Sequence, residues 1–110
     1  MPVYRLDYLT KKFEQALYAL ATGEGDARSR LETAYYCFWT ILIDDYPKSL
    51  RNKRRSINKL LTRLKGREGY VIADNLRKMK NKSASKICAL ILSLYFDLLQ
   101  EREQRKADPS

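Results

Sequence analysis

Residues 47–65 read PKSLRNKRRSINKLLTRLK, and four of their apolar side chains, Leu50, Ile57, Leu61 and Leu64, recur at helical spacing with Leu60 beside them. At 3.6 residues per turn these positions share one face of a helix. Pro47 suits its first position, because its φ is already helical and it needs no N–H partner there. The other side is basic. Counting about 100° per residue from Leu50, Arg51, Arg55, Lys59 and Arg63 fall at about 100–220°, with no acid interleaved.

Working outward toward the N-terminus, Leu6, Leu9, Phe13, Ala16, Leu17 and Leu20 recur at three and four residues and predict a first helix. Gly23 suits the left-handed residue that ends such a helix, and Asp26 the cap of the next. Ser29 with Glu32 is an alternative capping box. A second helix is predicted over 27–44, with Leu31, Ala34, Tyr35, Phe38, Ile41 and Leu42 in a stripe. Cys37, Trp39 and Ile43 cover its other faces, so it is read as central or as covered by a partner chain. Asp44-Asp45-Tyr46-Pro47 closes it, because Pro47 disfavours helical geometry at Tyr46.

Toward the C-terminus, Lys65-Gly66-Arg67-Glu68-Gly69 reads as a loop. A short helix follows over about 70–80, with Val71, Ile72, Leu76 and Met79 inward. Asn81-Lys82-Ser83 reads as a break, with Ser83 or Ser85 as cap. A last helix over about 84–105 turns Ile87, Ile91, Leu94, Tyr95 and Leu98 inward. Short connections favour antiparallel neighbours. The expectation is an all-α, antiparallel up-and-down bundle of four long helices with one short helix inserted before the last. Residues 1–100 form one domain in this reading, and 101–110 a charged, fraying tail. With 110 residues there is length for one domain, and four Gly and three Pro are too few for the turns of a barrel or sandwich.

Catalytic chemistry finds little footing. There is no His, which removes the commonest general base and metal ligand together. Asp44 and Asp45 are adjacent and point about 100° apart on a helix, so they do not form one site. Cys37 and Cys88 lie singly in apolar runs and read as buried free thiols. No glycine-rich phosphate loop follows a strand. The expectation is a non-enzymatic protein without catalytic residues, metal or cofactor. The apolar stretches 34–43 and 87–99 fall short of the roughly 20 residues of a spanning helix, and residues 1–7 carry no signal-like apolar core. A reduced, cytoplasmic protein that does not bind membranes is expected.

Charge supplies the functional clue. The chain carries a formal +9, but residues 48–86 alone hold 14 Lys and Arg against two acids, Glu68 and Asp74, a net of +12. A like-charged row repels itself by a few tenths of a kcal/mol per pair, and phosphates would relieve it by releasing their condensed counterions. The expected nucleic-acid-binding residues are Lys48, Arg51, Arg55, Lys59, Arg63 and Arg67, continued by Arg77, Lys78, Lys80, Lys82 and Lys86. Arginines grip phosphate bidentately, while Asn75, Asn81, Ser83 and Ser85 add hydrogen-bonding groups. Of the eight Tyr only Tyr46 and Tyr70 lie near these residues, which favours phosphate contact, to DNA or RNA, over base stacking. The alternative is an adaptor or regulatory module that binds an acidic protein, with a homodimer formed through the aromatic faces of the second helix.

Overall fold

The computed structural model describes the backbone of residues 3–107 and the side chains of residues 5–106. The described residues form helices and no strands, with five packed helices: α1 (Val3–Thr22), α2 (Ala27–Tyr36), α3 (Arg51–Leu61), α4 (Val71–Lys78) and α5 (Asn81–Ala107). Helix α1 packs on α2 and α5, α5 also on α2 and α3, and α4 bridges α2 and α3. Leu6, Leu9, Phe13 and Ala16 of α1 are buried, as are Ile87, Ile91, Leu94 and Leu98 of α5. These are the positions that recur every three or four residues. Thr10 is buried between them and bonds its hydroxyl back to the Leu6 carbonyl at 2.6 Å.

Asp26 caps α2, accepting from the N–H groups of Arg28 and Ser29 at 3.1 Å each. The left-handed residue of the preceding turn is Gly25 (φ 87°) rather than Gly23.

The expected set of four long helices is corrected to two long ones, α1 and α5, with three of 8 to 11 residues between them. The largest departure is α2, which stops at Tyr36 instead of Asp44. Turns follow through Thr40, then a single 3-10 turn over Ile43–Asp45 and another over Lys48–Leu50 that leads into α3. Residues 35–43 are mostly aromatic and β-branched, with poor helix propensity. Two large rings, one within this stretch and one just beyond it, also need the same core. Phe38 stacks on Phe13 with centroids 4.3 Å apart, and Tyr46 meets Phe13 edge-on at 6.2 Å. Eight residues of straight helix would separate Phe38 and Tyr46 by about 12 Å, so the chain turns back to seat both. The turn leaves Trp39 and Leu42 outside, 54% and 69% exposed.

Helix α5 begins at Asn81, three residues before the expected start. The Ala84 N–H already bonds the Lys80 carbonyl at 3.0 Å, so neither Ser83 nor Ser85 is its cap. The helix continues through the charged residues 101–107, where Arg102 reaches Asp7 of α1 at 3.7 Å. Residues 108–110 lie outside the described part. By length and composition Asn81–Lys106 is apolar enough to cross a membrane, although one of its faces lies in the bundle core.

Candidate nucleic-acid interface

Helix α3 does not present all its cations to solvent. Arg54 sits about 40° from Leu50 on the helical wheel, inside the apolar stripe, and is 1% exposed. Its guanidinium carbon lies 5.6, 5.0 and 5.7 Å from the ring centroids of Tyr35, Phe38 and Tyr46. Nε donates to the Tyr46 hydroxyl at 3.0 Å, and Nη1 to Asn58 Oδ1, which also accepts from the Tyr35 hydroxyl. Among the described residues no carboxylate pairs with Arg54, so ring faces and neutral oxygens hold the cation. Each desolvated cation–π contact is worth up to about 2 kcal/mol. Burial pushes the Tyr46 hydroxyl up to about 12, so it stays protonated at neutral pH.

Two neighbours are also engaged. Arg51 donates from Nε to the Tyr46 carbonyl at 3.0 Å and from Nη2 to the Asp44 carbonyl at 2.9 Å, tying the preceding turns to α3. Lys53 bonds Asp97 and Ser93 of α5. The outer row from Arg55 onward differs. Arg55, Lys59 and Arg63 are exposed, and among the described residues none of the three forms a salt bridge. Arg55 meets only Asn52 Oδ1, at 3.0 Å.

Past α3 the chain is pinned to α4. The Asn75 side chain accepts from the Leu64 N–H and donates to the carbonyls of Leu64 and Val71, each at 2.8 Å. Asp74 accepts from the Arg67 backbone N–H at 2.9 Å, from its side chain at 3.0 and 2.8 Å, and from Arg77 at 2.7 Å. Those arginine contacts hold the Asp74 carboxyl well below the usual carboxylate range, the Arg67 side-chain bonds most of all. A Cβ on Gly66 would lie 2.9 Å from Val71 Cα, so only glycine lets the loop approach this closely. At the far end of α4, Arg28 of α2 donates to the carbonyls of Arg77 and Met79 at 3.3 and 3.4 Å.

These clamps shape a groove of about 420 Å³ between the end of α3, α4 and the start of α5. Arg63, Lys78, Lys80 and Lys86 stand around it, Leu60, Leu64, Met79 and Ile87 contribute its apolar lining, and Asn75 and Ser83 add polar groups. No carboxylate lines it. The two basic segments that the sequence places 15 or more residues apart, at Arg63 and at Lys78–Lys86, thus meet on one surface.

The other expected residues lie elsewhere. Lys82 is exposed in the first turn of α5 and is not among the residues that line the groove. Arg67 and Arg77 are committed to Asp74. Lys48 and Arg51 line a separate cleft with Arg5, Arg105, Asp44 and Glu101, where both signs mix. Leu64, expected in the inward stripe of the third helix, is 45% exposed. Its signal is position: it follows the end of α3 and comes two residues before Gly66. Tyr35 turns inward, while Tyr36 and Trp39 stay outside as an edge-to-face pair 6.1 Å apart.

Fold and surface together define a basic all-α protein with a cationic groove. No family model, curated protein or solved structure matches the chain.

Proposed function

We propose that this protein is a non-enzymatic nucleic-acid-binding protein that holds the phosphate backbone of DNA or RNA in the groove between α3, α4 and α5. The observation that carries the reading is the ring of Arg63, Lys78, Lys80 and Lys86 with no carboxylate in its lining. Arg55 and Lys59 extend it along α3, and Lys82 flanks it on α5. A groove lined by one sign of charge beside low-dielectric walls concentrates counterions of the other sign. In this reading Arg51, Arg67 and Arg77 support the surface, and Lys48 stands at its margin. The scaffold is an up-and-down bundle; residue numbers that rise on α1 and α3 while falling on α5 across Asp7–Arg102, Glu14–Tyr95, Ser49–Glu101 and Lys53–Asp97 support that order. The working compartment is the cytoplasm, where Cys37 and Cys88 stay reduced.

A second reading is favoured by the apolar lining: an adaptor that takes an acidic segment of a partner protein, whose apolar side chains would cover Leu64 and Met79. Competition separates the two. With labelled duplex DNA, single-stranded RNA and an acidic helical peptide as probes at low salt, the first reading expects the nucleic acids to bind and to displace the peptide. Failure of both nucleic acids to bind at low salt overturns it.

A further inference from the structure

Helix α5 is apolar on two sides, and its own bundle uses one of them. Ala84, Ile87, Ile91, Leu94 and Leu98 face the core. A second line runs Lys82, Ser85, Ala89, Leu92, Phe96, Leu99, Glu103, with spacings of three and four residues alternating without interruption. Six of the seven are exposed and Leu99 is half-buried; Leu92 and Phe96 remain 42% and 57% exposed. Sustained three–four spacing is the pattern of a helix seam that meets another helix.

The line is matched to itself when reversed. Laid antiparallel about Leu92, Ala89 falls opposite Phe96, so the smallest side chain faces the largest. Ser85 falls opposite Leu99, and Lys82 opposite Glu103, so a cation faces an anion at each end. A two-fold contact has this form, residue i meeting j while j meets i. The exposed pair Tyr36 and Trp39 beside α2 has no comparable matching. Pairing along α5 also keeps the strongest charges apart. The basic groove borders the start of α5 at Ser83 and Lys86. Antiparallel copies would place those two starts about 18–27 Å apart along the axis, at 1.5 Å per residue, beyond the Debye length of about 8 Å at physiological salt.

We infer that a second copy of this chain docks on the outer face of α5, forming an antiparallel, isologous homodimer centred on Leu92. The seam is short, which makes the dimer reversible and dependent on concentration.

Sedimentation equilibrium of the full chain over a wide concentration range tests it, with circular dichroism confirming that each variant keeps its helices. Wild type shows a monomer–dimer equilibrium. Leu92→Glu and Phe96→Glu, each placing a charge on an already exposed site, are monomeric. Lys82→Glu and Glu103→Lys alone each weaken the dimer several-fold by opposing like charges. The double variant Lys82→Glu/Glu103→Lys recovers it, since exchanged charges still pair across an antiparallel seam. A wild type that stays monomeric at every concentration overturns the inference. So does a Leu92→Glu dimer as strong as wild type, or a double variant no better than the singles. Monomeric protein that floats with anionic lipid vesicles through the same face would make a membrane the occupant and overturn it too.

Discussion

Arg54 and Arg55 are neighbours in the chain and opposites in the fold, and the two sides of α3 divide in the same way. On the inner side Arg54 is enclosed by three aromatic rings, and at the flanks Arg51 holds two backbone carbonyls and Lys53 is paired with Asp97. On the outer side Arg55, Lys59 and Arg63 stand in water, and among the described residues none meets an acid. A formal charge is therefore a poor measure of charge available to a ligand. Of the 14 cations over residues 48–86, Arg51, Lys53, Arg54, Arg67 and Arg77 act as structural fastenings, while Arg55, Lys59 and the four around the groove form no salt bridge among the described residues.

The first way to break that contrast is to truncate each neighbour. Arg54→Ala removes a large buried side chain, leaves the Tyr46 hydroxyl without its Arg54 donor, and leaves Asn58 Oδ1 with only the Tyr35 hydroxyl. A loss of about 3–5 kcal/mol in urea unfolding is expected, as for other large-to-Ala core changes. Arg54→Met keeps much of the volume without the charge and should cost clearly less than the Ala variant. Arg55→Ala, on the outer side, should stay within about 0.5 kcal/mol of wild type. Equal losses at both positions would erase the distinction.

Asp74 sharpens the contrast next, since it pairs with two of the exposed cations, Arg67 and Arg77. Asp74→Asn should destabilise the protein and release Arg67 and Arg77, so nucleic acid binds more tightly to the folded fraction. The pH dependence carries the sign. The lowered carboxyl contributes its full stabilisation above about pH 4, the unfolded value, and loses it as pH falls through the folded value. The gap between wild type and Asp74→Asn in thermal unfolding should therefore be widest above pH 4 and narrow below it. A gap constant with pH would remove the ion pairs from the account.

Smaller effects are expected at the lysines. Lys53→Met breaks a partly exposed pair with Asp97 and should cost about 0.2–1 kcal/mol. Lys59→Met should leave stability unchanged and reduce only affinity for nucleic acid. Thermal unfolding and binding measured side by side on the two variants check this.

Much of this was legible in the residues. The three–four spacing located α1, the inner stripe of α3 and the inner face of α5, and Asp26 stood where a cap was wanted. Arg54 was legible too, at about 40° from Leu50 by helical geometry, but a basic residue in a basic run reads first as surface. The early end of α2 was harder. Nothing in Tyr35–Ile43 breaks a helix by itself; the turn exists because Phe38 and Tyr46 both pack on Phe13, a demand visible only in three dimensions. Arg51 could not have been assigned from sequence, because its partners are backbone carbonyls, which every residue carries. Asp74 left a trace as one of only two acids over residues 48–86, and a lone acid among many cations is well placed to become their buried partner.

The central claim is that the groove cations are free to meet phosphate, and the salt dependence of binding tests it most directly. Affinity for duplex DNA should fall linearly with the logarithm of salt concentration. Replacing Arg63, Lys78, Lys80 and Lys86 together with Gln should flatten that slope by about three to four units, at about 0.9 per phosphate contact, with helical content unchanged. A slope identical in wild type and the fourfold variant would contradict the account.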